Sequence, residues 1–298
     1  MIYSIKQINK KAILKKIIKT LCVATFWILI WEAASRLVAY KNDDMQMLFP
    51  GPFVVIKKWW EIAFETEFLN AELFTLLRIF FGFIISVFLG AILGILTHVS
   101  RLVYDFLSPV LKIIRSVPVV AIIILLYIVI ATNVMPITIV CLMVIPVIWQ
   151  TTHDSLNNVE KPLLEMASVY KLSYAKTLLK VKLPRIAPQF ISSCVNGLGL
   201  AWKSGIAAEV LCDTNDSLGL IISQNKISLE YDVTFAVTLN IILLSVIIEY
   251  LLKFLCNKYL LNTGGSRETK PQVISLPLSV FHVKLFIFPQ KDIAKKGA

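Results

Sequence analysis

Apolar and polar stretches alternate along this chain with a period far longer than that of any amphipathic surface helix. Apolar runs cover roughly residues 21–40, 73–97, 119–131, 137–149, 190–211 and 233–254. A helix needs about 20 apolar residues to cross a bilayer, and four of the runs reach that length. The runs at 119–131 and 137–149 are shorter and are joined by a very short turn at Asn133 to Pro136. The pattern predicts an all-α, polytopic membrane protein with about six transmembrane helices. Residues 99–116 read as a short amphipathic segment before Pro118 opens the third span, and 54–64, with Trp59 and Trp60, as a helix at the interface, where tryptophan settles. The turn before it carries Asn42-Asp43-Asp44 and then Leu48-Phe49-Pro50-Gly51-Pro52. In the second span Gly82, Gly90 and Gly94 place small residues at a spacing that lets helices approach closely in lipid.

One polar stretch between the fourth and fifth runs, 158–188, has a helical period of its own. Pro162 suits a first helical turn, where its missing N–H costs nothing. Leu163, Leu164, Ala167 and Tyr170 then recur on one face. A break is expected near Lys171. Ser173 can cap a second helix from Tyr174 to Lys182, which Pro184 is expected to stop. The result is a basic two-helix hairpin with an apolar face, set between membrane spans.

Composition agrees with the pattern: 57% of the 298 residues are hydrophobic, 16% are charged, and mean hydropathy is +0.75. Soluble domains carry about 25% charged residues. The net charge of +11 invites a nucleic-acid partner until it is placed on the topology. Of the 30 Lys and Arg residues, 23 fall on one side with the N-terminus inside: six before the first span, three in 99–116, six in the hairpin and eight from Lys253 on. Four lie outside (Lys41, Lys57, Lys58, Lys226), and Arg36, Arg78 and Lys203 lie within spans. That bias is what the positive-inside rule requires. It puts the hairpin in the cytoplasm, with no nucleic-acid partner needed. The basic start and first run could be a secretory signal, but no small-residue cleavage site follows, so the run is read as a span that stays. Five scattered cysteines show no metal or disulfide spacing and read as packing residues.

Glu165-Met166-Ala167, then Lys171, then Leu183-Pro184 resembles the EAA loop of ABC importer permeases. Met166 stands where that family has its first Ala, and Lys171 where it has Gly. A turn there runs at positive φ, which suits glycine and strains lysine. The Leu-Phe-Pro-x-Pro turn with its Trp-bearing helix, and Ala201-Trp202-Lys203 followed by Ala207-Ala208-Glu209-Val210-Leu211, resemble the nitrate/sulfonate/taurine branch. The resemblance covers about 20–258. It implies a permease domain there and a type I importer fold; the segment 1–19 ahead of it is read from its lysines as basic and cytoplasmic. The tail 259–298, apolar at 274–288 but broken by Pro277, His282, Lys284 and Pro289, is left without a role. It further implies docking of Glu165, Met166, Ala167, Lys171, Leu183 and Pro184 on an ATPase dimer that carries the ATP-Mg. A second permease copy, an external substrate-binding protein and a bacterial inner-membrane location are implied as well.

Ionisable groups within hydrocarbon are costly and face a bundle interior or a pathway. Lys203, Glu209 and Arg78 are therefore candidate pathway residues for a small anion. The alternative is structural pairing, Lys203 with Glu209 or Glu32. Glu32 and Arg36, and Glu249 and Lys253, sit four apart and can pair. His98, His153 and His282 are far apart in sequence without ligand-spaced companions, and His153 reads as a solvated boundary residue. There is no phosphate loop and no nucleophile elbow, so no catalysis and no resident cofactor or metal are expected on this chain. A self-contained secondary transporter or channel is the alternative, and would need matched midplane carboxylates or broken helices. A membrane-embedded enzyme would need clustered His, Asp or Glu.

Overall fold

The computed structural model describes residues 10–41 and 48–262, all of whose regular structure is helical. The expected basic start up to residue 9, the Asn42–Asp44 turn and the tail from 263 lie outside the described residues, as does the side chain of Lys253 expected to pair with Glu249. The chain divides into two units, residues 1–30 with 266–298, and residues 31–265. Helix α1 runs Lys10–Lys41. In the first unit its turns expose Leu21, Phe26, Trp27 and Leu29, as a helix surrounded by lipid does. In the second unit Arg36 Nε lies 2.7 Å from Glu32 Oε1, the pair the spacing predicts.

The second unit begins with α2, Pro52–Ile62, and α3, Thr66–Val99. Pro52 takes the first turn of α2. Trp59 donates to Asn240 Oδ1 at 3.0 Å, and Asn240 donates on to Glu72 Oε2 at 2.9 Å, tying α2 and α3 to the last helix, α11, Tyr231–Asn262. Helix α3 has 34 residues, α6 runs Met135–Asn157, and α9 runs Leu183–Cys212. These three form the centre, with α6 packed against α3 on one side and α9 on the other. Their core is Ile79 and Phe83, Val140, Val144 and Ile148, and Leu198, Ala201 and Trp202.

The glycines of α3 explain the closeness of that seam. A Cβ on Gly82 would meet Val140 Cβ at 3.0 Å, and one on Gly90 would meet Ile148 Cβ at 2.8 Å. Gly94 faces Thr152 in the same way. Both sets of numbers rise together, so α3 and α6 run parallel. On the other side Gly197 faces Val144 and Gly205 faces Val140, so α9 runs antiparallel to them. Small residues thus bring backbones together where lipid supplies no hydrophobic drive.

One expectation about the spans needs correction. Helix α5, Val119–Tyr127, has nine residues, about 14 Å of helix, and cannot cross a core of about 30 Å alone. It is joined at 100° to α4, Arg101–Ser116, across Val117 and Pro118. Pro118 cannot continue α4 and biases the residue before it to extended backbone, which bends the pair. Among the described residues four helices are long and apolar enough to cross, or five if the bent pair counts as one. Helix α9, with 30 residues, has the length but carries Asn196, Lys203 and Glu209. The stretch between α9 and α11 also holds a helix, α10, Leu218–Ile227, capped by Ser217, whose Oγ accepts from Leu220 N at 3.0 Å.

Candidate functional site

The hairpin forms as two helices with a tight turn. Helix α7 runs Lys161–Val169 and α8 runs Tyr174–Thr177, followed by a π-helical turn, Leu178–Lys182, that leads directly into α9. Pro184 therefore does not stop the second helix. Its ring would crowd the carbonyl four residues back, and the wider π turn makes room for it while the helix continues. Ser173 holds the N-cap position of α8, but its side chain makes no cap bond.

The turn keeps the geometry expected of a glycine. Lys171 has φ 50°. Its N–H reaches Ser168 O at 2.9 Å, and Leu172 N–H reaches Ala167 O at 3.0 Å, the two bonds of a Schellman ending. These bonds satisfy the last carbonyls of α7 and hold the lysine in the left-handed region.

One face of the hairpin is seated. Leu163, Leu164, Leu178 and Leu183 pack on Leu156, Val159 and Ile186. Ala167 is 2% exposed. Glu160 and Arg185 pair across its base. The other face is open: Val169 is 78% exposed, Tyr170 73% and Tyr174 56%, with Met166, Glu165 and Lys171 beside them on the surface and Pro184 exposed at the start of α9. Tyr170, expected on the seated face, is on the open one, because the turn begins at that residue.

Next to the seated face a polar network joins the ends of α3 and α6. Lys182 Nζ lies 2.9 Å from His98 Nε2, and His98 Nδ1 lies 2.6 Å from Asn157 Oδ1. Asn157 Nδ2 lies 2.9 Å from His153 Nε2, and His153 Nδ1 lies 3.0 Å from Thr97 Oγ1. Trp149 Nε1 donates to the same Thr97 oxygen at 3.0 Å. Tyr104 of α4 stacks on His153, with ring centres 4.5 Å apart. Burial holds the Lys182 ammonium below the usual lysine range. His153, read as a solvated boundary residue, is half-buried and bonded into this network, and Asn157 bonds both histidines. The one local signal was the four-residue spacing of His153 and Asn157 on α6; His98 has no partner at local spacing, since Asn157 and Lys182 lie 59 and 84 positions away.

At the far end of the bundle Arg78 and Glu209 meet, and Lys203 does not join them. Arg78 Nη1 is 3.7 Å from Glu209 Oε1, while its guanidinium donates to the carbonyls of Asp216 and Asn215 at 3.0 and 2.8 Å. Glu209 is wholly buried. Its Oε2 accepts from Thr75 Oγ1 at 2.9 Å, and Thr75 accepts from Leu218 N–H at 3.0 Å. Gly219 sits so close to Glu209 that a Cβ there would overlap it. This clamp closes the α9–α10 turn onto α3. The alternative pairing of Lys203 with Glu209 or Glu32 is not formed. Lys203 is exposed on α9, and among the described residues no carboxylate is within 4 Å of it.

Comparison with known proteins fits this architecture. The nitrate import permease protein NrtB of Synechococcus elongatus is 26% identical over 201 residues, 64% of this chain and 70% of the relative. The taurine transport system permease protein TauC of Escherichia coli is 25% identical over 209 residues, 68% of this chain and 76% of the relative. Among solved structures, an inward-facing form of the MetNI methionine ABC transporter shares the fold, with a TM-score of 0.51 at 20% identity over 71% of this chain and 96% of that one. Residues 86–259 match the family described as the binding-protein-dependent transport system inner membrane component, a stretch that takes in the C-terminal part of α3, all of α6 and α9 and the whole hairpin. The chain belongs to that family of membrane-spanning permeases.

Proposed function

We propose that this permease is the membrane subunit of an ATP-driven importer whose hairpin at 158–188 docks, in the cytoplasm, on a separate ATPase. The observation that carries this reading is the open face of the hairpin. Val169, Tyr170, Tyr174 and Met166 form an apolar patch beside Glu165, on a hairpin whose opposite face is already packed. Lysine bias places that end of the bundle in the cytoplasm, where lipid cannot cover such a patch, and patches of this kind mark interaction sites. The residues assigned to docking are Glu165, Met166, Ala167, Lys171, Leu183 and Pro184. Ala167 and Leu183 seat the hairpin while the exposed members meet the partner.

A second copy of the chain, two ATPase subunits carrying ATP-Mg and an external substrate-binding protein complete the assembly in this reading. The cargo is a small anion of the nitrate, sulfonate or taurine kind, in keeping with the names of the relatives. Lys203, exposed on a bundle helix, is the cation that would draw an anion into a pathway closed by the second copy. Arg78 and Glu209, spent on each other and on main-chain carbonyls, hold that pathway's far wall rather than line it. Purification of the tagged chain from its native membrane should bring an ATPase with it, and Glu165→Ala or deletion of residues 160–183 should lose it. A chain recovered alone, with transport that follows an ion gradient and ignores ATP, would sink this reading.

A further inference from the structure

We propose that Lys182, His98, Asn157, His153 and Thr97 form a one-way hydrogen-bond relay that fastens the π-helical end of the hairpin to the ends of α3 and α6, and that a proton on either imidazole opens it. The role as a coupling element rests on the docking reading above. The relay itself rests on geometry within this chain.

The polarity of the whole chain of bonds is fixed by its first member. An ammonium has donors only, so His98 Nε2, 2.9 Å from Lys182 Nζ, must accept. The His98 proton therefore sits on Nδ1 and is donated to Asn157 Oδ1 at 2.6 Å. That turns the Asn157 amide nitrogen toward His153, whose Nε2 accepts at 2.9 Å. His153 in turn carries its proton on Nδ1 and donates to Thr97 Oγ1 at 3.0 Å. Thr97 passes its own proton to Leu93 O at 2.9 Å and also accepts from Trp149, which uses every donor and lone pair of its hydroxyl. These roles are assigned from the network, as imidazole tautomers and amide orientations must be. Only this direction satisfies every member.

Both imidazoles must be neutral for the relay to exist. A second proton on His98 would set an N–H and a positive charge against the Lys182 ammonium. One on His153 would face the Asn157 amide donor. The charged and titratable groups around the pair are Lys182 on the π turn and Tyr174 beneath it, with Lys182 Nζ 5.9 Å from its ring. From α4 come Tyr104, stacked on His153, and Lys112, 5.8 Å from the Tyr104 ring, together with Arg115, which bonds Gln150 of α6. Asp154 adjoins His153 in α6, and the Glu160–Arg185 pair closes the base of the hairpin. Cations outnumber carboxylates here, so a further positive charge is poorly accommodated. Imidazole is the side chain that titrates in the physiological range, so acidification releases the π turn from α3 and α6.

His98, Asn157 and His153 are positioning residues. Thr97 lies one turn beyond Gly94, which is pressed against Thr152. A displacement of Lys182 therefore pulls on the parallel seam of α3 and α6 at its end.

The test uses the full chain in lipid nanodiscs. Spin labels at the exposed positions Lys180 and Arg101 report the distance from the π turn to the start of α4, two residues past the end of α3, and 15N-imidazole resonances report the tautomers. At about pH 8 both rings should be in the neutral Nδ1–H form with a narrow distance distribution, and at about pH 5.5 the distribution should broaden. His98→Gln combined with His153→Gln keeps an acceptor on each residue but cannot be protonated. It should stay narrow at both pH values. His98→Ala should be broad at both. An Nε2–H tautomer of His98 at pH 8, a narrow His98→Ala distribution, or acid broadening of the double glutamine variant equal to that of the natural chain would overturn the relay. The expected pH response in a chain that captures no ATPase would support the relay and count against docking.

Discussion

The two ends of the α3–α6–α9 bundle are held by opposite chemistry. At the far end the Glu209 side chain is wholly buried, and its partner Arg78 is only 15% exposed in its side chain. Every bond there goes to another charge, a hydroxyl or the main chain of the α9–α10 turn. At the hairpin end, neutral rings and an amide sit half in solvent, and a single ammonium at the entrance orders them. A buried pair is costly to break because each half leaves an uncompensated group behind. A relay of neutral histidines is cheap to reverse, since one proton inverts a donor. The contrast separates a clamp that keeps the bundle closed from a fastening that can let go.

The largest effect that would break this contrast is removal of the carboxylate. Glu209→Ala should cost about 3 kcal/mol, the lower part of the range for halving a buried pair, because Arg78 keeps its two carbonyl partners. Thermal unfolding in detergent would read it, and a loss no larger than the ~0.5 kcal/mol of an ordinary surface change would mean that the clamp is idle. Gly90→Leu comes next. The new side chain must enter where a Cβ already meets Ile148 at 2.8 Å, and overpacking of this kind costs about 1–3 kcal/mol, so the variant should unfold earlier and disturb both ends through their shared seam.

Lys171→Gly has the opposite sign. It relieves a left-handed residue and should stabilise the hairpin by about 1 kcal/mol, seen as slower proteolysis of the loop with ATPase capture unchanged. Unchanged proteolysis would show that the Schellman bonds already absorb the strain.

The smallest effect is the pH dependence of Lys182. Its folded-state value is lowered by burial, so the charged form is disfavoured on folding. The penalty is present at neutral pH and fades as pH rises through the lowered value toward the ordinary lysine range. The melting temperature of the natural chain relative to Lys182→Met should therefore rise with pH above neutrality. A flat difference would remove the burial cost from the comparison.

Much of this was legible before any coordinates. The long apolar runs became α1, α3 and α11, and the period within 158–188 became a two-helix hairpin with Leu163 and Leu164 seated and Ala167 buried. Gly90 and Gly94, spaced for close approach, do seat α6. Pairs four apart, such as Glu32 and Arg36, were read correctly because both partners ride on one helix. The misreadings share a cause. Pro184 was taken as a stop when a π turn carries the helix past it, and 119–131 as a span when Pro118 bends it against α4. In each case a neighbouring element decided what a local signal could only suggest.

By itself the sequence determined the class, the long apolar helices α1, α3 and α11, the hairpin and its expected side, because hydropathy, charge bias and helical period are properties of contiguous residues. Only the tertiary structure decided which polar groups meet. Thr75 reaches Glu209 across 134 positions, and Thr97 reaches His153 across 56. Those partnerships depend on the parallel register of α3 with α6 and the antiparallel register of α9. That register is set by how glycines and branched side chains fit across a seam, not by order along the chain.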